Sequence, residues 1–396
     1  MRKKELLKRA TEHYFSTGID DGTSRLCRAN MIYGLAKIHQ VQEKLGFKSD
    51  ATFISTPDET ITRNTHRWKA GFGYGGKLSW GTGKEKMVML DTKPNACGMI
   101  VGGLQEIPDI GEFIQRINGV KGIDLYIDNI KIDWDLYTGN HFIDFFEVDS
   151  KSEDFELPDY AFMIHSSASE LKGETDRGVG LYINRSESLR NNCLTLETEF
   201  GDMHVLLDSD AEEYFRFYKY AEKFAEEKRS KISEALFDQY EEICNVNHQG
   251  LLNYNEHLLG CQSTQDNHIL PIALRSDLPA FLMEGKDNLG EDIINSLGFK
   301  RRGDRLGVTH RLSKANILPH GGGYNFNDVL DVKKVLERKG ERYFVLDMKS
   351  GMGTKVCSEV RDLPYYYRGK DVVLRSVKLG MGKVIAHLIP CYTFKI

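Results

Sequence analysis

Apolar positions along the chain follow two periods. In Asp208–Cys244, Phe215, Tyr218, Phe224, Ile232, Leu236 and Tyr240 recur near helical spacing, which predicts one long helix with Asp210 placed to cap it. Val329–Arg338 carries apolar residues three apart and predicts a second amphipathic helix. The opening MRKKELLKRATEHYF is basic and amphipathic, but it contains Glu5 and Glu12 and lacks an apolar stretch. It reads as a surface helix rather than a targeting signal. Met87–Glu106 mixes apolar runs with glycine and predicts buried strands, as does the run Tyr160–Ile164. Ile123–Asp133 alternates as a strand or strand–turn, and Asp371–Ile396 alternates in strand-like runs around Gly380 and Gly382. The fold class expected is mixed α/β (α+β), without the regular βαβ rhythm of a doubly wound sheet.

Composition narrows this picture only modestly. Hydrophobic residues make up 40% of 396, ample for a large core, and no linker or repeat divides the chain. No segment approaches the roughly 18 unbroken apolar residues of a membrane span, so no membrane partner is expected. The net charge of −5 does not advertise a nucleic-acid binder, although a local basic face can act within an acidic protein. Seven cysteines, scattered and with no CxxC pair, argue against a disulfide framework or zinc ribbon and fit a reducing cytoplasm.

Gly71–Gly76 satisfies GxGxxG, but an apolar strand should precede it and a helix should follow. Thr65–Lys69 and Lys77–Trp80 supply neither, so the dinucleotide reading is rejected. The chain contains no phosphate-loop GxxxxGK[ST], no GxSxG and no HExxH. A different pattern carries chemistry. Cys97, His141, His165, His248 and His320 each stand beside Gly, Asn or Ser, several of them at the end of an apolar run. Ligands projecting from rigid element ends, with small neighbours that leave room for substrate, are what a shared metal cavity requires. Imidazole and thiolate suit borderline transition metals. Taken singly, each His reads more readily as a satisfied turn residue than as a ligand, and Cys97 as a small buried hydrophobe; the repeated pattern is what favours a shared site.

Read in order, these segments resemble those of the RtcB-type RNA ligases, the tRNA-splicing ligase family. His66–Gly76 is similar to that family's His-Trp-Gly-Tyr-Gly segment, and Asn95-Ala96-Cys97-Gly98 to its Asp-x-Asn-Cys-Gly loop. Gly139-Asn140-His141-Phe142 matches its Gly-Asn-His-Phe motif in full, while His165-Ser166 with Ser169 resembles His-x-Gly-Ser-Arg. Val246-Asn247-His248-Gln249 resembles its Val-x-His-Asn, and Ile269–Ile272 through Leu282–Gly285 its Pro-Gly-Ser-Met-Gly stretch. His320-Gly321-Gly322-Gly323 is similar to the His-Gly-Ala-Gly-Arg loop of the guanylylated histidine, and Leu388–Pro390 with Lys395 to the family's terminus.

The resemblance covers roughly residues 60–396 and implies one large RtcB-like domain, with β-sheets around a metal and nucleotide cleft. Residues 1–60 are then a helical or irregular segment packed on it. The family uses GTP and two Mn²⁺ ions, through a covalent His–GMP intermediate, to join an RNA 3′-phosphate or 2′,3′-cyclic phosphate to a 5′-hydroxyl. Carried over, Cys97, His141, His165 and His248 hold metal and His320 is the nucleophile. Asn140, Gln249, Gly321, Gly322, Gly323 and Lys395 contact the nucleotide, with Asp144 a candidate acidic partner for guanine. The partner implied is RNA, tRNA included; the need for an activating protein is left open. The glycines after His320 serve phosphate approach or a tight turn. The basic residues Lys300, Arg301, Arg302, Arg305, Arg311 and Lys314 are a candidate RNA-backbone contact or a solvated face.

The chain also departs from the family. Pro94 stands where the family has its metal-loop aspartate, leaving Asp91 or Asn95 as substitutes. Arginines expected after His165 and at Tyr324 are absent, which removes bidentate phosphate donors. A divergent member is expected, and two alternatives stay open: an RNA- and metal-binding protein without ligation, or a metal-dependent phosphohydrolase.

Overall fold

The computed structural model describes residues 2–265, 269–349, 351 and 353–395; the ends of the expected spans at Met1 and Ile396 lie outside these. A seven-stranded antiparallel sheet forms the centre. Its strands run, in spatial order, Glu241–Asn247, Gly98–Leu104, Tyr160–Ser166, Phe142–Ser150, Gly382–Phe394, Ala280–Gly285 and Ile269–Ile272. Alternation along these strands divides the core into two layers. Ile100, Leu104, Ile143, Phe145, Phe162 and Ile164 face one, while Met99, Val101, Phe146, Ala161 and Met163 face the other. Because both faces are covered, the strands read as nearly unbroken apolar runs.

The helix Asp208–Leu236 seals the first layer. Tyr214, Phe217, Tyr218, Ala221, Phe224, Ala225, Ile232 and Leu236 form its buried stripe. It is shorter than the expected Asp208–Cys244, and Asp210 lies within its first turn rather than capping it. There its carboxylate favours the helix dipole. Phe237 turns extended, and Glu241–Asn247 becomes an edge strand. Tyr240 keeps helical spacing only by coincidence: it packs on Phe162 from beyond the helix, with ring centroids 5.4 Å apart.

A second sheet orders Tyr14–Phe15, Thr52–Ile61, Gly73–Ser79, Glu256–Leu259 and Gln249–Asn253, with the helix Gly22–Lys44 packed on it. The first 60 residues thus hold two helices and also most of the strand Thr52–Ile61, which is integral to this sheet. Gly71–Gly76 runs from the helix Thr65–Ala70 into the strand Gly73–Ser79, the reverse of a dinucleotide fingerprint.

Two expectations are corrected. Val329–Arg338 is a strand, paired to Glu341–Met348 through the left-handed turn Lys339-Gly340. Register shifts after Val329 and after Val332 each insert one residue. Val329, Val332 and Val335 therefore share the packed face at a spacing of three, imitating a helix. In Asp371–Ile396, only Gly382–Phe394 is a strand; Asp371–Lys378 is a helix burying Val372, Val373 and Ser376. Strands at Met87–Met89, Gly98–Leu104 and Tyr160–Ser166, the Tyr126–Lys131 hairpin and the helix Lys3–Glu12 fall where expected. Among the described residues, no helix is long and apolar enough to cross a membrane.

Arg311 ties the short helix Thr309–Ser313 to the second sheet, next to the ends of Thr52–Ile61 and Gly73–Ser79. Its guanidinium is buried, 2.7 Å from Asp50 Oδ2, and also donates to the carbonyls of Asp50 and Gly81. Truncating one partner strands a buried carboxylate. Arg311→Met is expected to cost about 3–5 kcal/mol in urea unfolding; a change below about 1 kcal/mol contradicts this role.

Candidate metal centre

The loop from Leu90 to Cys97 turns twice through left-handed backbone, at Lys93 (φ +53°) and Ala96 (φ +50°), and delivers Cys97 to the start of a central strand. The next residue must be glycine. A Cβ at Gly98 would sit 2.4 Å from the Val246 carbonyl oxygen. That close approach lets the His248 amide donate to the Cys97 carbonyl at 2.8 Å and locks the two ligands' backbones together. His165 arrives from the neighbouring strand, opposite both Met99 and Phe142.

Three ligand atoms converge. Cys97 Sγ lies 3.0 Å from His165 Nε2, and His165 Nε2 lies 3.3 Å from His248 Nε2. Cys97, His165 and His248 form a buried group that could hold a metal ion. His165 Nδ1 donates to the Asn140 carbonyl at 2.9 Å, which leaves the Nε2 lone pair facing inward. A metal at usual bond lengths sets such atoms roughly 3.5 Å apart, so a small outward shift seats an ion. His141 stands beside the group, Nε2 3.8 Å from Cys97 Sγ and Nδ1 3.2 Å from Asp135 Oδ2.

Charge is arranged to suit such an ion. Burial opposes ionisation of Cys97, but His165 and His248 bring its thiol well below the ordinary range. Burial pushes His248 down to about 3, keeping it neutral, and its Nδ1 is enclosed without a partner. Burial opposes protonation of His141 too, but Asp135 and Cys97 raise it to about 9. Asp135 is itself held by Lys228 (3.1 Å), which also pairs with Glu170 (2.8 Å). A thiolate among imidazoles, with His165 and His141 oriented from behind, is a transition-metal donor set.

His320 completes the cluster from the end of the strand Ile317–Pro319. Its ring centroid lies 4.4 Å from that of His248, and Tyr74 meets it edge-on at 5.6 Å. Its Nδ1 is 3.2 Å from Asp58 Oδ2, but too poorly aligned for a hydrogen bond, so both atoms are enclosed without one. Gly321, Gly322 and Gly323 line a cleft of about 350 Å³ in front of the cluster. A Cβ at Gly321 would meet the Ala273 carbonyl oxygen at 2.5 Å, and one at Gly322 the Arg368 carbonyl oxygen at 2.4 Å. Close backbone packing therefore requires glycine there.

The cleft also holds Asn140, Asp144 and Lys395. Lys395 Nζ donates to the Gly139 carbonyl at 2.8 Å. Asp144 is only partly buried as a residue, yet its Oδ1 is enclosed and unpartnered. Burial raises its carboxyl to about 7, against Thr393 and Lys395.

Two expected residues do not join. Asp91 accepts from the His204 amide at 2.7 Å, and the side chains of His66 and His204 each lie 3.0 Å from its Oδ1. Both oxygens are thus committed away from the cleft, and the substitution of Pro94 is not repaired by Asp91. Gln249 is buried behind the cluster, with both amide atoms unpartnered, and does not line the cleft. None of the six residues of the basic run lines the cleft, and Arg301 and Lys314 are exposed. Lys300 pairs with Glu291 and Asp304, Arg305 with Glu12 and Arg311 with Asp50, and Arg302 lies over Phe15.

Sequence reasoning missed Asp58, Asp135, Arg67 and Tyr74. Only Asp135, six residues before His141, carried a positional hint. Compared with known proteins, the chain matches no family model and no curated protein.

Metal added to metal-free protein is expected to raise the unfolding temperature, by about 2.7 kcal/mol of stability at a hundredfold excess over Kd. Cys97→Ala should lose most of this gain and bind far less metal by elemental analysis; full occupancy in the variant sinks the assignment. For Asp144, the folded pKa lies above the ordinary value near 4. Its stabilising contribution is whole below that value and is lost as pH rises through about 7. Asp144→Asn should flatten the pH dependence of stability over this window and exceed wild type at pH 8 by on the order of 2–4 kcal/mol. Parallel pH profiles in thermal unfolding contradict this.

Proposed function

We propose that the cleft is the active site of a GTP- and Mn²⁺-dependent RNA ligase of the RtcB type, in one RtcB-like domain. The observation that carries this reading is the meeting of Cys97, His141, His165 and His320 at one cleft, with His248 fully buried against His165 and His320. These five come from separate segments, and the resemblance assigns the first four to metal and the fifth to attack on a nucleotide.

In this reading His320 attacks the α-phosphorus of GTP and pyrophosphate leaves, giving a phosphoramidate. The RNA 3′-phosphate then displaces the histidine. With Nδ1 turned to Asp58, Nε2 is the nitrogen available for attack. Mn²⁺, when bound, neutralises charge building on phosphate oxygens. Cys97, His165 and His248 would hold one ion, while Cys97 and His141 would offer the start of a second set. Asn140 fixes His165, and Asp144 with Lys395 borders the space for a base. The commitment of Asp91 elsewhere favours a second reading: a protein of this type that keeps metal and RNA but has lost ligation.

Incubation with α-labelled GTP and Mn²⁺ separates the two. Ligation chemistry predicts acid-labile label on the chain, abolished in His320→Ala. Metal-loaded wild type that takes up no label overturns the ligase reading.

A further inference from the structure

Four cations stand together on one side of the cleft without carboxylate partners. Arg67 lines the cleft; its Nε donates to the Thr92 carbonyl at 2.9 Å, and a terminal nitrogen donates to the Lys93 carbonyl. The Lys93 ammonium lies 4.7 Å from the Tyr182 ring centroid. The Tyr182 amide donates to the Lys172 carbonyl at 3.0 Å, and the Arg185 amide donates to the Tyr182 carbonyl at 2.8 Å. Exposure falls inward along this line: Arg185 is exposed, Lys172 half-buried, Lys93 and Arg67 buried.

The nearest acids are already engaged. Asp91 is held by His66 and His204, and Asp135 by Lys228 and His141. None of the four cations forms an ion pair among the described residues. Burial, then Arg67, lowers Lys93 to about 8, as expected of a cation group short of counter-charge. A graded strip of unpaired cations ending beside a metal centre fits a chain of regularly spaced anions whose end reaches that centre. The exposed Arg185 guanidinium suits phosphate, while Tyr182 is buried beneath Lys93 and braces it from within.

We propose that Arg185 and Lys172, backed by the buried cations Lys93 and Arg67, form the track that holds the backbone of single-stranded RNA entering the cleft on the Cys97 side. The proposal rests on the RNA-directed reading above. It places the phosphate contacts on a surface separate from residues 300–314, and it supplies cations that the family's missing arginines do not.

The test uses full-length, metal-loaded protein carrying His320→Ala and a fluorescent single-stranded RNA decamer with a 3′-phosphate, read by anisotropy across a NaCl series. Lys172→Glu with Arg185→Glu should weaken binding about tenfold or more near 0.1 M salt and lower the salt slope by about 1.4, two contacts' worth. Lys93→Asn, which tolerates the left-handed backbone, should weaken binding in the same sense. The control Arg301→Glu with Lys378→Glu makes the same charge change at exposed sites elsewhere and should leave affinity and slope intact. A decamer ending in a 3′-hydroxyl should show the same dependence on the strip, because the contacts are to the backbone; dependence on the terminal phosphate alone overturns the track. So does a strip variant that binds like its parent, or a control that weakens equally. If the parent binds no RNA, the track and the RNA-directed reading fall together. If the parent binds and wild type takes up GTP label while the strip is inert, only the track falls.

Discussion

A sulfur and two imidazole nitrogens, spaced 3.0 Å and 3.3 Å apart in the interior, set the terms for the surrounding fold. Such a group is costly to bury without an occupant, because its lone pairs point at one another rather than at donors. It persists because the backbone beneath it is over-determined. Gly98 permits the closest strand approach, the His248 amide is tied to Cys97, and the central position of Tyr160–Ser166 fixes His165 in register. The ring nitrogens not aimed inward are braced for His165 and His141, by the Asn140 carbonyl and by Asp135. His248 Nδ1 has no such brace, so His248 is the ligand with most freedom to turn on metal binding.

Electrostatics extends outward from this group in two directions. Toward the long helix, Lys228 is fully buried between Asp135 and Glu170, and it supports His141 through Asp135. Toward the cleft, Asp58 faces His320, and Asp144 sits in enclosed space with its carboxyl raised by burial. The same buried framework thus holds a neutral imidazole at His248, a charged one at His141 and, at Asp144, a carboxyl that titrates at about 7, all around one cleft. Perturbed groups gathered around one cleft are a pattern that active sites share with structural ion-pair networks.

Cys97, His141, His165, His248 and His320 were legible because each sits at an element boundary beside small residues, a local signature. Asp58 and Asp135 were not, because a carboxylate that meets a histidine only in space leaves no such signature. Asp91 misled for the opposite reason: it is near Cys97 in sequence but turned toward His66 and His204. In the fold, the central strands Gly98–Leu104 and Tyr160–Ser166 and the long helix followed from the apolar pattern, whereas Phe142–Ser150, Ala280–Gly285, Ile269–Ile272 and Glu241–Asn247 were not read as strands. Val329–Arg338 did not, because two bulges gave a strand the spacing of a helix. Asp371–Lys378 was misread because its β-branched valines favour strands by residue type, while the buried positions Val372, Val373 and Ser376 fall at helical spacing. The basic residues 300–314 show the limit of reading charge from a run, since their partners Glu12, Asp50 and Glu291 lie elsewhere in the chain.

The central claim is that Cys97 binds metal as a thiolate together with His165 and His248. Substituting Co²⁺ into metal-free protein tests it directly by absorption spectroscopy. The account predicts an intense thiolate-to-cobalt charge-transfer band that disappears in Cys97→Ser. A cobalt-loaded wild type without that band, or a variant that retains it, contradicts the account.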